Sequence, residues 1–257
     1  DMDEGSGADL FVWGGNRNYT LGLSHGNDSA LPERVKLKCN ERRTPLIAGA
    51  RFNRPHVRDI SMSRWHTVLA TNEPRKNVYV CGIGSQARLG RSAQSLPTFE
   101  PLRDFSDTAN IVVAGSDHTI IVTETGAVYT FGSNRMAQLG YAIEEGLGVV
   151  SSSSGTKRSG ATSHPNQHSL QGPVSDVSGV ELDLQVTPRR VQGPLKREVI
   201  VGAAASRLHS VAYTASALYT WGTNNGQLGY DRHSAPVQVQ PRRVTVVSVP
   251  VRQVAAT

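Results

Sequence analysis

The chain is predicted to be all-β, a β-propeller-type repeat protein with about four blade motifs in an incomplete ring, and three observations predict this. The first is a short pattern written four times: LFVWGGNRNYTLG at 10–22, VYVCGIGSQARLG at 78–90, VYTFGSNRMAQLG at 128–140 and LYTWGTNNGQLG at 218–229. Each copy is an apolar run, a Gly and a polar turn closed by Leu-Gly. The second is a His-led apolar run upstream of three copies, SRWHTVLAT at 63–71, SDHTIIVT at 116–123 and SRLHSVAYT at 206–214. The third is spacing: Cys81 to Phe131 is 50 residues, the size of one all-β propeller blade.

The elements follow in chain order. Residues 1–9, DMDEGSGAD, are acidic and small, and read as a linker ahead of a repeat segment at 10–257. Repeat motifs fall at 10–35, 63–102, 116–191 and 206–244. Within a unit the order is an apolar strand, a hairpin turn, a second apolar strand, a Gly-rich turn, a polar connection, and a Pro-led short strand. Glu124-Thr125-Gly126 is the clearest hairpin turn, lying between two apolar runs. The Pro-led strands are PERV at 32–35, TPRRV at 187–191 and QPRRV at 240–244, with a weaker PTFEPL at 97–102. Trp13 to Cys81 is 68 residues and Phe131 to Trp221 is 90, so those intervals need insertions. One lies within 36–58. The other, 141–187, contains SSSSGTKRSGATSH, with almost nothing apolar to offset its ordering entropy, and is expected to be disordered. VVSVPVRQVAAT at 246–257 resembles the lead-in VIVGAAAS at 199–206, so the last residues are expected to be part of a truncated blade.

The WG-x-N-x-x-GQLG turn, the Pro-x-x-Val run and the Ser-x-x-His lead-in resemble repeats of the regulator of chromosome condensation type. GADLFVWGGNRNYTLG, YVCGIGSQARLG and GPLKREVIVGAAASRLHS further resemble fungal BTB and ankyrin proteins similar to the inhibitor of Bruton tyrosine kinase. The first resemblance implies a propeller, typically of seven blades. The second implies ankyrin repeats before the segment and BTB domains after it. It further implies a non-enzymatic interaction scaffold, a ubiquitin-ligase substrate adaptor or a tyrosine-kinase inhibitor. The alternative implied by the founding member is guanine nucleotide exchange on a small GTPase. A third class is chromatin or nucleic-acid association through a basic loop.

Several residues imitate catalytic motifs. GIGSQA at 82–87 fits a dinucleotide fingerprint, but a phosphate cradle needs a helix to begin there, and RLGRSAQSLPTFEP has no helical period. His66, His118 and His209 recur at one place in the unit, so a structural task is expected: an imidazole at the start of an inner strand, bonded to the backbone of a neighbouring turn. His164 and His168 lie in the Ser-rich insertion, and no Cys-x-x-Cys or His-Glu-x-x-His pattern occurs. No catalytic residue, cofactor or metal is therefore assigned. Cys81 stands where other copies have Trp13, Phe131 and Trp221, and is expected to be a buried small hydrophobe. Cys39 has no obvious partner, so no disulfide framework is read. Without a secretory signal, Asn18-Tyr-Thr and Asn27-Asp-Ser are not expected to be glycosylated, and the expected location is cytoplasmic or nuclear.

Charge marks the candidate partner-binding residues. Between 34 and 58 stand Arg34, Lys36, Lys38, Arg42, Arg43, Arg51, Arg54 and Arg58 against Glu41 alone, a window of +7 in a chain of net charge +6. Such a window either attracts an acidic protein surface, nucleic acid or an anionic membrane, or is a solvated loop that keeps the blade soluble and blunts an exposed edge. The family resemblance implies a kinase, a ubiquitin-ligase substrate or a small GTPase as the protein partner classes. Phe52 and His56 are its sole residues suited to base stacking, so sequence-specific nucleic-acid recognition is not expected. No apolar stretch approaches the length of a transmembrane helix.

Overall fold

A computed structural model of the chain describes residues 10–37, 55–92, 94–143, 183–247 and 249–257. The repeated runs become strands of antiparallel sheets. β1 (Phe11–Gly14) and β2 (Ser29–Arg34) form a two-stranded sheet. Three four-stranded sheets follow, each in simple meander order. The first contains β3 (Val57–Met62), β4 (His66–Thr71), β5 (Val78–Gly82) and β6 (Leu96–Pro101). The second contains β7 (Ala109–Ala114), β8 (His118–Thr123), β9 (Val128–Ser133) and β10 (Leu184–Arg190). The third contains β11 (Gly202–Ala205), β12 (His209–Tyr213), β13 (Leu218–Thr223) and β14 (Val237–Arg243). These are propeller blades in an incomplete ring.

Each blade carries one strand more than the sequence pattern announces. β3, β7 and β11 precede the His-led run, and they are the strands by which successive blades meet, β3 against β7 and β7 against β11. Their polar side chains serve the next blade. Val112 N–H donates to Asp59 Oδ2 at 2.9 Å, and Ala114 N–H donates to Ser61 Oγ at 3.0 Å. Backbone donors on the facing strand are thereby satisfied without a shared ladder.

The His-led strands β4 and β8 are buried along their whole length. A blade is covered on both faces by its neighbours, so HTVLAT and HTIIVT need little polar alternation. One core layer lies between the first two four-stranded blades and contains Val68, Val80, Leu89, Ile121 and Phe131. A second, with Ile120, Val128, Leu139, Tyr219 and Trp221, lies between the second and third. Leu69, Tyr79, Cys81 and Phe99 pack against Leu10, Val35 and Leu37, which flank the strands of the two-stranded sheet.

Cys81, Phe131 and Trp221 are each fully buried, opposite Thr67, Thr119 and Ser210 on the preceding strand. Trp13, their counterpart in the first copy, is 61% exposed. The sequence equivalence does not carry over to burial because, among the described residues, β1 has a single sheet neighbour, β2. The repeated Gly after this position is explained by packing. Gly82, Gly132 and Gly222 sit at φ +121, +115 and +115, and a Cβ on any of them would come within 2.6 to 2.7 Å of the Cα of the paired histidine.

Outer strands carry the prolines: Pro97 and Pro101 on β6, Pro188 on β10 and Pro241 on β14. An edge strand tolerates a missing N–H, and each of these pairings also contains a register shift. Glu124-Thr125-Gly126 forms the expected tight turn, with Gly126 N–H donating to the Thr123 carbonyl at 2.9 Å. β10 begins at Leu184, so residues 184–187 of the interval read as insertion belong to a sheet. The expectation of disorder for the rest falls mostly on residues 144–182, outside the described ones. Residues 249–257 contain no strand, and the Tyr213 hydroxyl donates to the Arg252 carbonyl at 2.9 Å.

Candidate functional site

All three histidines are buried, and two of them, His66 and His118, are parts of an inter-blade relay. His66 Nε2 lies 2.8 Å from Thr119 Oγ1 of the next blade, and that hydroxyl donates to the Arg88 carbonyl at 2.8 Å. His118 Nε2 lies 2.8 Å from Ser210 Oγ, which donates to the Gln138 carbonyl at 2.7 Å. Thr67 repeats the hydroxyl half of the relay, donating to the Thr20 carbonyl at 2.6 Å. Because each hydroxyl spends its proton on a carbonyl, it must accept from the imidazole, which places a proton on Nε2. Ser63 and Ser206 complete the pattern at Nδ1 of His66 and His209, at 3.0 and 2.7 Å. Gly115 stands at the corresponding place before His118, and His118 Nδ1 is buried without a protein partner.

The expected structural task is therefore refined. The imidazole reaches the neighbouring turn through a hydroxyl of the adjoining blade rather than bonding its backbone directly. Burial lowers the pKa of His66 to about 3, helped by the Arg88 charge and then by His118. Burial also lowers His118 to about 3, with His209 adding to the effect. Rings so held neutral suit a latch better than a general base working near neutrality.

The Gly-x-Gly turn holds no phosphate cradle. Ser85–Ala87 is a single 3-10 turn with Gln86 at φ 61, and a Cβ on Gly84 would lie 2.0 Å from the Gln94 carbonyl oxygen. That space is filled by the chain itself. Cys81 is fully buried, which pushes its thiol pKa up.

The basic window is partly visible. Arg34 ends β2, paired across the sheet with Phe11, and Lys36 follows on the surface. Arg58, on β3, forms an ion pair with Glu124 in the hairpin turn of the next blade. Lys38, Arg42, Arg43, Arg51 and Arg54 lie outside the described residues, as do Cys39, His164 and His168.

A second cationic feature does not stand out in the sequence. The loops ahead of the histidines and the Gly turns converge on a groove of about 490 Å³ that includes Arg64, Trp65, Arg88, Asp117, Arg135 and Arg207. Arg88 is almost wholly buried and donates to Asp117 Oδ1 at 2.7 Å and to Ser85 Oγ at 2.9 Å. The Arg64 guanidinium lies 4.8 Å from the centre of the Trp65 ring, and that of Arg88 lies 5.8 Å from it. Arg64, Arg135 and Arg207 are exposed and make no ion pair among the described residues. Four guanidiniums against one carboxylate give the groove a net charge of +3. Its signal in the sequence is departure from the repeat. Trp65 precedes its histidine where other copies have Asp117 and Leu208, and Arg88 replaces Gln138 and Gln227.

Comparison with known proteins agrees with this architecture. The profile of the regulator of chromosome condensation (RCC1) repeat matches residues 111–138, which run from within β7 through β8 and β9 into the following turn. The chain is built of RCC1-type repeats. It is 33% identical over 245 residues to BTB/POZ domain-containing protein 1 of Schizosaccharomyces pombe, covering 95% of this chain and 16% of that protein. It is 29% identical over 246 residues to the human Inhibitor of Bruton tyrosine kinase, covering 93% of this chain and 14% of that protein. The bovine Secretion-regulating guanine nucleotide exchange factor is 27% identical over 241 residues, covering 93% of this chain and 40% of that protein. The RCC1-type chain thus spans a minor part of each relative's length. A solved structure of yeast RCC1 (Prp20) bound to Kap60 superposes with a TM-score of 0.66 at 16% identity, over 96% of this chain and 48% of that one. At that identity the likeness is one of fold. Among the described residues no helix is long and apolar enough to cross a membrane.

Proposed function

We propose that this repeat segment is a non-enzymatic interaction scaffold within a larger BTB-type protein, which acts as a ubiquitin-ligase substrate adaptor or as a kinase inhibitor. One observation carries the reading: the repeated histidines and hydroxyls inside the blades are consumed by structure, while the loops at the strand ends bring together exposed guanidiniums that make no ion pair among the described residues. His66, His118, Thr119 and Ser210 hold blades together. Arg64, Trp65, Arg135 and Arg207 face solvent in a groove instead. Rigid strands carrying variable loops are a common platform for binding. The similarity to a BTB protein and to a kinase inhibitor over nearly the whole chain supports the same assignment.

In this reading the window Arg34, Lys36, Lys38, Arg42, Arg43, Arg51, Arg54 and Arg58 is a second partner-facing surface. Its test is reversal of Arg42, Arg43, Arg51 and Arg54 to Glu in the full-length protein, followed by quantitative co-purification. Loss of a subset of partners is expected. An unchanged partner profile removes the window from the interface and leaves it a solvated loop.

The alternative is guanine nucleotide exchange on a small GTPase. It is favoured by one specific observation, the similarity to a protein named as an exchange factor over 93% of this chain.

A further inference from the structure

We infer that the Trp65 groove takes an acidic peptide segment of a partner protein, an inference that rests on the scaffold reading and gives it a chemistry. Three exposed guanidiniums, from Arg64, Arg135 and Arg207, come from three successive repeats and line one concavity. Guanidinium forks match carboxylates in two-point hydrogen bonds, and clustering them without carboxylate partners is unfavourable unless an anion is supplied. The fourth cation, Arg88, is already committed to Asp117 and Ser85. It braces the floor of the groove and contacts Trp65 rather than serving as a free anchor.

Trp65 supplies the apolar part. It is half-buried and rigidly placed between the Ser63 turn and His66, whose backbone N–H groups share Ser63 Oγ as acceptor. A tryptophan held this way beside arginines is the composition that dominates binding energy at protein interfaces. Met136 adds a polarizable, adaptable neighbour on the same lining. The occupant is thus a segment with several Asp or Glu residues and one apolar side chain for the Trp65 edge. Nucleic acid fits less well. The Trp65 ring is engaged by guanidiniums at 4.8 and 5.8 Å, and among the described residues no other aromatic side chain lines the groove to stack successive bases.

The test uses the whole chain and a fluorescein-labelled peptide of alternating Glu and Ser with one central Leu, read by anisotropy at low and at physiological salt. Arg135→Glu with Arg207→Glu should weaken binding about tenfold or more. Arg103→Glu with Arg232→Glu, an equal change in net charge at exposed positions outside the groove and outside the basic window, should stay within about twofold, so a general field effect is separated from the groove. Both pairs are surface residues, and unchanged melting curves verify the fold. On peptide addition the Trp65 indole resonance should shift in the wild type and stay fixed in the groove variant. The inference is overturned if the acidic peptide does not bind, if both charge reversals weaken it equally, or if a DNA duplex displaces it more readily than unlabelled peptide does. Any of these results with native co-purification intact removes the groove assignment and leaves the scaffold reading standing. Peptide binding at the groove with no co-purified partner removes the scaffold reading instead.

Discussion

Replacing Thr119 with Val tests the latch between blades while leaving the shape of the core almost unchanged. The wild-type hydroxyl accepts from His66 Nε2 and donates to the Arg88 carbonyl, each at 2.8 Å, and His66 and Thr119 are fully buried. Val keeps the volume and deletes the oxygen, so an N–H and a carbonyl lose their partner where water cannot reach. An orphaned buried group costs about 1–3 kcal/mol, so the pair predicts a loss of about 2–6 kcal/mol. Equilibrium unfolding in urea near pH 7.5, with an unchanged slope, measures it directly. The companion Ser210→Ala, which breaks the His118 relay, should lose a similar amount. A loss below about 0.5 kcal/mol in Thr119→Val would refute the relay as a stabilising contact.

Acid should weaken the protein through the same histidines. The folded-state pKa values of His66 and His118 are depressed to about 3, so their contribution is fully present above the unfolded value of 6.5 and is lost as pH falls from there toward 3. At pH 5 each histidine removes about 2 kcal/mol relative to pH 8, visible in urea midpoints and diminished for the His66 part in His66→Gln. Gly132→Ala should destabilise by about 2 kcal/mol or more, since φ is +115 and the new Cβ would lie 2.5 Å from the Asp117 carbonyl oxygen; thermal melting reads this. In a Cys39→Ser background, Cys81 should resist thiol reagents until the chain unfolds, because it is fully buried and its thiol pKa is raised; early reaction would show that the sheet around it opens.

The blade architecture is legible because the repeat encodes geometry that has to recur. Gly82, Gly132 and Gly222 are required where a backbone presses against a histidine, and the apolar runs of β4 and β8 are required where a strand is covered on both faces. The structural role of the histidines is legible for the same reason. Their partners are not, since Thr119 and Ser210 belong to other repeats and only the folded ring brings them to Nε2. β3, β7 and β11 escape notice because VRDISM and GAAA mix small, polar and apolar residues, their neighbours lying in another blade as well as in their own sheet. The groove is hidden by sequence distance. Arg64, Arg135 and Arg207 are scattered along the chain, while the basic window at 34–58 is continuous and draws attention first.

The most direct test of the scaffold reading is nucleotide release. A small GTPase loaded with fluorescent GDP, mixed with increasing concentrations of the full-length protein, reports exchange activity whatever the native partner is. Across a panel of small GTPases, release rates are predicted to stay at their intrinsic values, including at concentrations where an acidic peptide occupies the groove. A concentration-dependent acceleration for any one of them would contradict a purely scaffolding role and identify the propeller as an exchange factor.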